Sequence, residues 1–105
     1  MLAVSETWIT NNNDSFIIIP GYNRVLNNRK TGRGGGVALF ILNTLIYSVR
    51  NDCNLNIDGK IESLFVDIEN NKSMQKKTVG VVYKAPDYDL PLFTSSFECL
   101  LKKLV

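Results

Sequence analysis

One segment of the chain has to be covered on both of its faces. Residues 37–42 read VALFIL, a run of apolar residues that no polar residue interrupts. A strand with one face in water alternates apolar and polar residues, whereas a strand buried on both faces does not. The run is far too short to cross a bilayer. We therefore predict a strand over residues 36–43 that lies inside a layered structure.

A basic, glycine-rich loop leads into this strand. Its glycines are Gly34, Gly35 and Gly36, and its cationic residues are Arg29, Lys30 and Arg33. Arg24 lies nearby in the sequence. Glycine has no Cβ, so its N–H groups can approach an anion closely, and arginine pairs well with phosphate oxygens. The loop thus predicts a phosphate contact. The alternatives are a solvated loop and a flexible lead into a hairpin.

Composition limits the function further. The chain has 105 residues, 45% of them hydrophobic, and a formal net charge of +2, which fits one small packed domain. It has 2 cysteines in no metal-ligand spacing and no histidine. This excludes catalysis and zinc binding through histidine of this chain. We expect an intracellular protein, since residues 1–10 do not have the pattern of a signal peptide and no apolar run has the length of a membrane span.

The rest of the sequence predicts short strands joined by polar loops. The strand at residues 2–5 is expected to be buried, and the one at 45–50 to continue or pair with that at 36–43. Residues 61–69 alternate most clearly, with Leu64, Val66 and Ile68 on one face, and residues 78–84 place Val79, Val81 and Tyr83 on one face. Short polar connections suggest antiparallel pairing. Strands are predicted at 2–5, 16–22, 36–43, 45–50, 61–69 and 78–84, and polar loops at 23–33, 51–60 and 70–77.

A single helix is predicted near the end of the sequence. Asp89 is suited to its N-cap and Pro91 to its first turn. Apolar residues then recur at helical spacing and form one face: Phe93, Phe97, Leu100, Leu101 and Leu104. The fold class is therefore α/β in the layered α+β sense, with strands dominating. One helix does not cover a doubly buried sheet, so we expect a chain truncated at both ends.

Three further residues are candidates for chemistry. Glu6 follows an apolar strand, where a carboxylate can bind Mg²⁺; the alternative is a glutamate at the start of a helix. Tyr83 ends a strand, where its phenol can donate to a phosphate; the alternative is a packing tyrosine. Glu62 is expected to brace a loop rather than to bind metal.

The order of these segments resembles one superfamily. The stretches that carry the resemblance read SETW, IPGY, NRKTGRGGGVALFI, IESLFVDI, VGVVYKAP and FECLLKKL. They are similar to the endonuclease/exonuclease/phosphatase superfamily of deoxyribonuclease I-like enzymes. Within it, they most resemble the endonuclease domain of jockey-type non-LTR retrotransposon polyproteins. SETW alone is a weak signal, whereas GRGGGVA followed by the Ile-Glu and Tyr-x-x-Pro strands is specific.

The resemblance implies a Mg²⁺-dependent DNA endonuclease on a partial four-layer α/β/β/α sandwich, with residues 1–105 an interior portion of the domain. By this likeness Glu6 is the metal-binding glutamate and Tyr83 contacts the scissile phosphate. The DNA-binding residues are Arg29, Lys30, Arg33, Gly34, Gly35 and Lys84. Lys84-Ala85 replaces the usual Arg-Pro, with little expected consequence. The implied partners are DNA, the rest of the domain and a reverse transcriptase, and the implied location is the nucleus.

The chain also departs from the family. It has neither the Gly-Asp-x-Asn segment nor the Ser-Asp-His segment that completes the active site, and the strand with the family's active-site Asn would precede Leu2. A hydrolase needs its remaining metal ligands and a general base. We therefore expect an inactive fragment when the chain is isolated. The alternatives are a non-catalytic nucleic-acid-binding remnant and another branch of the superfamily, such as a phosphatase or a deadenylase.

Overall fold

The computed structural model describes residues 1–5, 7, 18–28, 35–57, 60–69 and 76–104. Within them lie several strands, one 3-10 turn at Asn51–Cys53 and one α-helix. The elements are β1 (Leu2–Ser5), β2 (Tyr22–Asn27), β3 (Val37–Leu42), β4 (Ile46–Val49), β5 (Asn56–Ile57), β6 (Ile61–Glu69), β7 (Lys76–Lys84) and α1 (Leu90–Leu104).

The strands form two sheets, and every pairing among the described strands is antiparallel, as predicted. The first sheet has the order β1-β3-β2. In the second, β6 pairs with β4 and β5 along one edge and with β7 along the other. The strands β3 and β6 are therefore central; β3 is buried except at Leu42, and β6 is buried from Ile61 to Val66.

The two sheets pack against each other through apolar side chains of their central strands. Val37, Leu39 and Ile41 of β3 share one buried cluster with Leu64 and Val66 of β6. Val79, Val81, Tyr83 and Ile68 pack against this cluster, so the predicted apolar faces of β6 and β7 are confirmed.

The opposite face of the second sheet carries the helix. Leu100 of α1 is buried there against Phe65 of β6 and Cys53, with Leu104 packed alongside. The N-terminus of the helix is capped as predicted, since the Leu92 N–H donates to the Asp89 carboxylate at 3.3 Å. The α+β class, with antiparallel sheets and one helix, is confirmed for the described residues. The second helical layer of the predicted sandwich is not among them.

Within the described residues, the predicted strand at 16–22 is wrong at 18–21 and the predicted loop at 23–33 is wrong at 23–27. Ile18 and Ile19 lie outside any strand, and the strand β2 begins at Tyr22. Gly21, at a φ of 86°, makes a turn in which the Tyr22 N–H donates to the Ile19 carbonyl at 3.1 Å. The polar residues of β2 do not have the alternation that predicts a strand. The backbone of β2 nevertheless pairs with β3 along the whole length of β2.

Three further predictions need correction. The strand β1 is not buried: Leu2 is 49% exposed, because β1 pairs only with β3 among the described strands. The strand β4 neither continues β3 nor pairs with it. A turn closed by the Leu45 N–H and the Leu42 carbonyl, at 3.0 Å, takes the chain to the second sheet, where β4 pairs with β6. The predicted loop at 51–60 contains a 3-10 turn and β5.

None of the helices in the described ranges has the length and apolar character that crossing a membrane requires.

Candidate functional site

Four strand ends meet at one end of the two-sheet stack. In the first sheet, β1 ends where β3 begins, with Ser5 opposite Val37. In the second, β6 begins where β7 ends, with Glu62 opposite Tyr83. A hydrogen bond between the Gly36 N–H and a Glu62 carboxylate oxygen joins the two sheets at this end. We call this end of the molecule the glycine rim.

The glycines at the rim need their conformational freedom. Gly35 and Gly36 have φ values of 70° and 86°, in the left-handed region where a side chain is strained. Both residues are buried. The Gly36 carbonyl accepts a hydrogen bond from the Thr7 N–H at 3.3 Å, which extends the contact between the ends of β1 and β3. The two glycines thus form the turn that leads into the buried strand β3.

Glu62 lies at the centre of the rim. Its side chain is fully buried, at 0% exposure, and accepts the Gly36 N–H. A buried carboxylate is costly unless it is hydrogen-bonded, and bonds to a charged acceptor are strong. Glu62 therefore braces the glycine turn, as predicted. The glycine-rich sequence predicted that backbone N–H groups of this loop would bind an external phosphate. The Gly36 N–H instead donates to the Glu62 carboxylate.

Tyr83, the predicted phosphate-contacting tyrosine, also lies at the glycine rim. It lies directly opposite Glu62 in the ladder, so the two side chains are on the same face of the sheet. Tyr83 is only partly buried and packs against the cluster between the sheets. It therefore has a packing role, and its side chain remains partly exposed.

Lys84 is on the other face. Successive residues of a strand point to opposite sides of the sheet, and Lys84 pairs with Ile61 rather than with Glu62. Its ammonium group donates to the Ala85 carbonyl at 3.0 Å. The structure thus does not bring Lys84 together with Tyr83, although the two are adjacent in sequence.

The remaining predicted site residues lie outside the described residues: Glu6, Arg29, Lys30, Arg33 and Gly34. Their described neighbours are nonetheless informative. Ser5 and Thr7, on either side of Glu6, are at the glycine rim. Asn28 and Gly35 border residues 29–34, which we call the basic loop.

An asparagine network that sequence analysis missed holds the start of the basic loop. The Asn56 amide donates to the Asn28 carbonyl at 2.7 Å and to the Asn27 side-chain oxygen at 2.9 Å. Asn27 in turn donates to the carbonyls of Leu55 and Ser63, at 2.8 and 2.7 Å. Asparagine is abundant in this sequence and common in exposed turns. Nothing in the sequence therefore distinguished Asn27 and Asn56 from the other asparagines.

The described residues do not by themselves make a metal site. Among them there is no group of three or more Asp, Glu, Cys or His side chains placed to hold an ion. The buried carboxylate of Glu62 is already bonded to the Gly36 amide. The predicted Mg²⁺ ligand, Glu6, is outside the described ranges, so we derive no catalytic step through a metal.

Comparison with known proteins adds no relative. No protein-family model matches this chain, and neither a curated protein nor a solved structure matches it.

Proposed function

We propose that this chain is a portion of a Mg²⁺-dependent DNA endonuclease domain of the non-LTR retrotransposon type. In this proposal the isolated 105 residues bind duplex DNA through the basic loop but do not cut it. The observation that carries the proposal is the glycine rim. Residues bordering Glu6 and the basic loop, together with Tyr83, meet at one end of the sheets. A phosphodiester backbone that crosses this end would pass Tyr83 and the described residues that border Glu6 and the basic loop.

The assigned roles follow from the chemistry of these residues. Arg29, Lys30 and Arg33 would neutralise phosphates, which gives affinity for DNA without reading its sequence. Tyr83 would donate a hydrogen bond to a phosphate oxygen. Glu6 would be one protein ligand of a Mg²⁺ ion that otherwise keeps waters and substrate oxygens. Mg²⁺, when bound, would stabilise the charge that develops on the phosphate.

Cleavage needs more than these groups. Hydrolysis requires an activated water, and a general base must lie within hydrogen-bond reach of it. The chain contains no histidine, and the family's Gly-Asp-x-Asn and Ser-Asp-His segments are not in this sequence. The missing groups would come from the rest of an endonuclease domain, which we propose as a partner together with a reverse transcriptase. A nuclear location belongs to the same proposal.

The DNA-binding part is tested with a labelled duplex at several salt concentrations. We expect affinity to fall as salt rises, because bound phosphates release counterions. Replacing Arg29, Lys30 and Arg33 together by alanine is expected to flatten the salt dependence, by roughly 0.9 in slope for each lost phosphate contact. Lys102→Ala, an exposed lysine on α1, is the control and should behave like the wild type. Absence of binding by the wild type at low salt would overturn the proposal.

The catalytic part is tested by incubating the chain with supercoiled plasmid and Mg²⁺. We expect no nicking above background. Nicking that is lost in Glu6→Ala would show an active endonuclease and contradict the inactive part. DNA binding without nicking by a reconstituted full domain would favour the non-catalytic remnant. Hydrolysis of phosphoinositides or poly(A) by that domain would favour another branch of the superfamily.

A further inference from the structure

A surface pocket of about 340 Å³ lies at the opposite end of the two-sheet stack from the glycine rim. β2 begins there at Tyr22, opposite Leu42 at the end of β3, and Tyr47 of β4 lies opposite Ile68 near the end of β6. The pocket therefore takes its walls from both sheets. We call it the tyrosine pocket, and its lining residues are Ile18, Ile19, Tyr22, Asn23, Arg24 and Tyr47.

The two tyrosines are held by the fold but remain partly exposed. Tyr47 packs against the apolar cluster between the sheets without being fully buried. Tyr22 is also half-buried, and its N–H donates to the Ile19 carbonyl at 3.1 Å, which closes the turn at Gly21. Ile18, the residue before Ile19, is 66% exposed. A flat apolar group that entered the pocket would therefore remove aromatic and aliphatic surface from water.

The charge of the pocket favours an anion. Arg24 is half-buried in its wall, and none of the six lining residues is acidic. A guanidinium has five N–H donors, so Arg24 can contact a phosphate while it keeps a contact within the protein. Glu69, at the same end of the second sheet, lies one position beyond Ile68 and so on the opposite face from Tyr47. It also pairs with Lys76 at 3.9 Å.

We propose that the tyrosine pocket binds a nucleotide unit, with the base against a tyrosine ring and the phosphate on Arg24. Bases of any sequence stack on aromatic side chains, because every base has a π-face. The volume of about 340 Å³ is near the lower end of the range for small-ligand pockets, which suits one nucleotide. The unit is either a free mononucleotide or one residue of a single strand.

This inference goes beyond the proposed function and does not depend on it. The glycine rim is where β3 and β6 begin, whereas the tyrosine pocket is where they end. The two sites can therefore be altered separately.

The test follows the backbone amide NMR signals of the isotope-labelled full chain as adenosine monophosphate is added. We expect saturable shifts at residues 22–24 and at Tyr47, and none at Gly36 or Tyr83. Adenosine lacks the phosphate and ribose phosphate lacks the base. Each should bind about tenfold more weakly than adenosine monophosphate, because each loses one of the two contacts.

A short single-stranded DNA distinguishes the two sources of the nucleotide. If it shifts the same residues and binds more tightly than adenosine monophosphate, the pocket takes a residue of a strand. If it binds no more tightly, the pocket takes a free nucleotide. Either result supports the inference.

Variants test the two contacts separately. Tyr47→Leu keeps an apolar side chain against the core and removes the ring, so it is expected to weaken binding of adenosine monophosphate about tenfold. Tyr22→Leu should act in the same direction, and it decides the matter if Tyr47→Leu does not fold. Arg24→Ala should weaken binding of adenosine monophosphate about tenfold and leave that of adenosine unchanged, which a purely structural role would not do.

Tyr88→Leu is the matched control, since Tyr88 is another half-buried tyrosine and lies near Lys60, outside the pocket. The inference is overturned if adenosine monophosphate shifts only the glycine rim or nothing, or if ribose phosphate binds equally well. It is also overturned if folded Tyr22→Leu and Tyr47→Leu bind like Tyr88→Leu. All these variants should bind duplex DNA like the wild type, and failure of the wild type to bind duplex DNA would overturn the proposed function alone.

Discussion

At the scale of single residues, the lack of a side chain at Gly80 makes room for the ring of Phe65 in the second sheet. Gly80 lies directly opposite Phe65 in the β6–β7 ladder. A Cβ on Gly80 would be 2.1 Å from the Phe65 ring, far inside van der Waals contact. The ring therefore occupies the space that a side chain at position 80 would fill, and Phe65 packs with Cys53 and Leu100 beneath the helix.

Gly80→Ala is expected to destabilise the fold by about 1–3 kcal/mol, because the Phe65 ring must move into a packed core. Urea unfolding would measure the change in the free energy of unfolding. In a Phe65→Leu background the same substitution should cost less, since the clashing ring is gone. Gly21→Ala is the control for backbone strain alone, because Gly21 has a φ of 86° and nothing within 4 Å of an added Cβ. An equal cost for Gly80→Ala in both backgrounds would contradict the clash.

The two thiols should differ sharply in reactivity. Cys53 is buried, and burial raises the pKa of its thiol, whereas Cys99 is exposed on α1. The thiolate is the reactive form. We expect Cys99 to be alkylated rapidly and Cys53 only after unfolding. Cys99→Ser should therefore remove the rapid phase of alkylation. Rapid labelling that persists in Cys99→Ser would show that the helix does not cover Cys53.

At the scale of elements, a polar cluster fixes the C-terminal half of the helix to the second sheet. The Arg50 guanidinium bonds both Asp52 carboxylate oxygens at 3.0 Å and the Lys103 carbonyl at 3.0 Å. The Lys103 ammonium group returns a bond to the Asp52 carbonyl at 3.0 Å. Lys103 also lies in the last turn, where a positive charge favours the helix dipole. Charge and apolar packing therefore dock the same end of α1.

This cluster gives the fold a small acid sensitivity. The hydrogen bond from Arg50 lowers the pKa of Asp52 below its ordinary value of 3.8. A carboxyl with a lowered pKa in the folded state stabilises the fold above its ordinary pKa. That contribution is lost as pH falls through the lower, folded-state value. The Asp52 side chain is 52% exposed, so the effect is small and weakened by salt.

We expect the wild type to lose more stability than Asp52→Asn as the pH falls from 5 to about 2, since the variant lacks the titrating group. Thermal unfolding at low ionic strength would measure this difference. Asp87→Asn, an exposed turn residue, is the control and should follow the wild type. Parallel pH profiles for the wild type and Asp52→Asn would contradict the role given to Arg50.

At the scale of the whole molecule, the described structure is wide and thin. Its extents are 43 × 35 × 17 Å, and its Cα radius of gyration is 14.3 Å. A compact domain of about 100 residues has a value of about 13 Å. Large apolar side chains remain exposed at strand ends and edges, among them Leu2 on β1 and Ile46 on β4. Open strand edges with apolar residues invite pairing with other chains.

The purified chain is therefore expected to self-associate as its concentration rises, which sedimentation velocity would measure. Leu2→Lys should reduce the association, because a charge on an edge strand opposes pairing. Leu90→Lys is the matched control, since Leu90 is 62% exposed but lies on the helix. A monomer at all concentrations, or equal effects of the two substitutions, would contradict edge pairing as the cause.

Sequence alone was sufficient wherever the signal is local. The apolar run of β3, the alternation of β6 and β7, the Asp89 cap and the helix all depend on spacing within a few residues, and the structure has them as predicted. The turn at Gly35 and Gly36 and the bracing role of Glu62 were also predictable, because consecutive glycines and a glutamate that begins an apolar strand are unusual.

Tertiary structure decided everything that depends on which segments meet. β2 is a strand because β3 provides a pairing partner for polar residues that have no strand pattern of their own. β4 lies in the other sheet because a turn redirects it, and β1 is exposed because of its edge position. The opposition of Asn56 and Glu62, and of Gly80 and Phe65, is a matter of register between strands. Register follows from long-range packing, which the spacing of residues along a single chain does not encode.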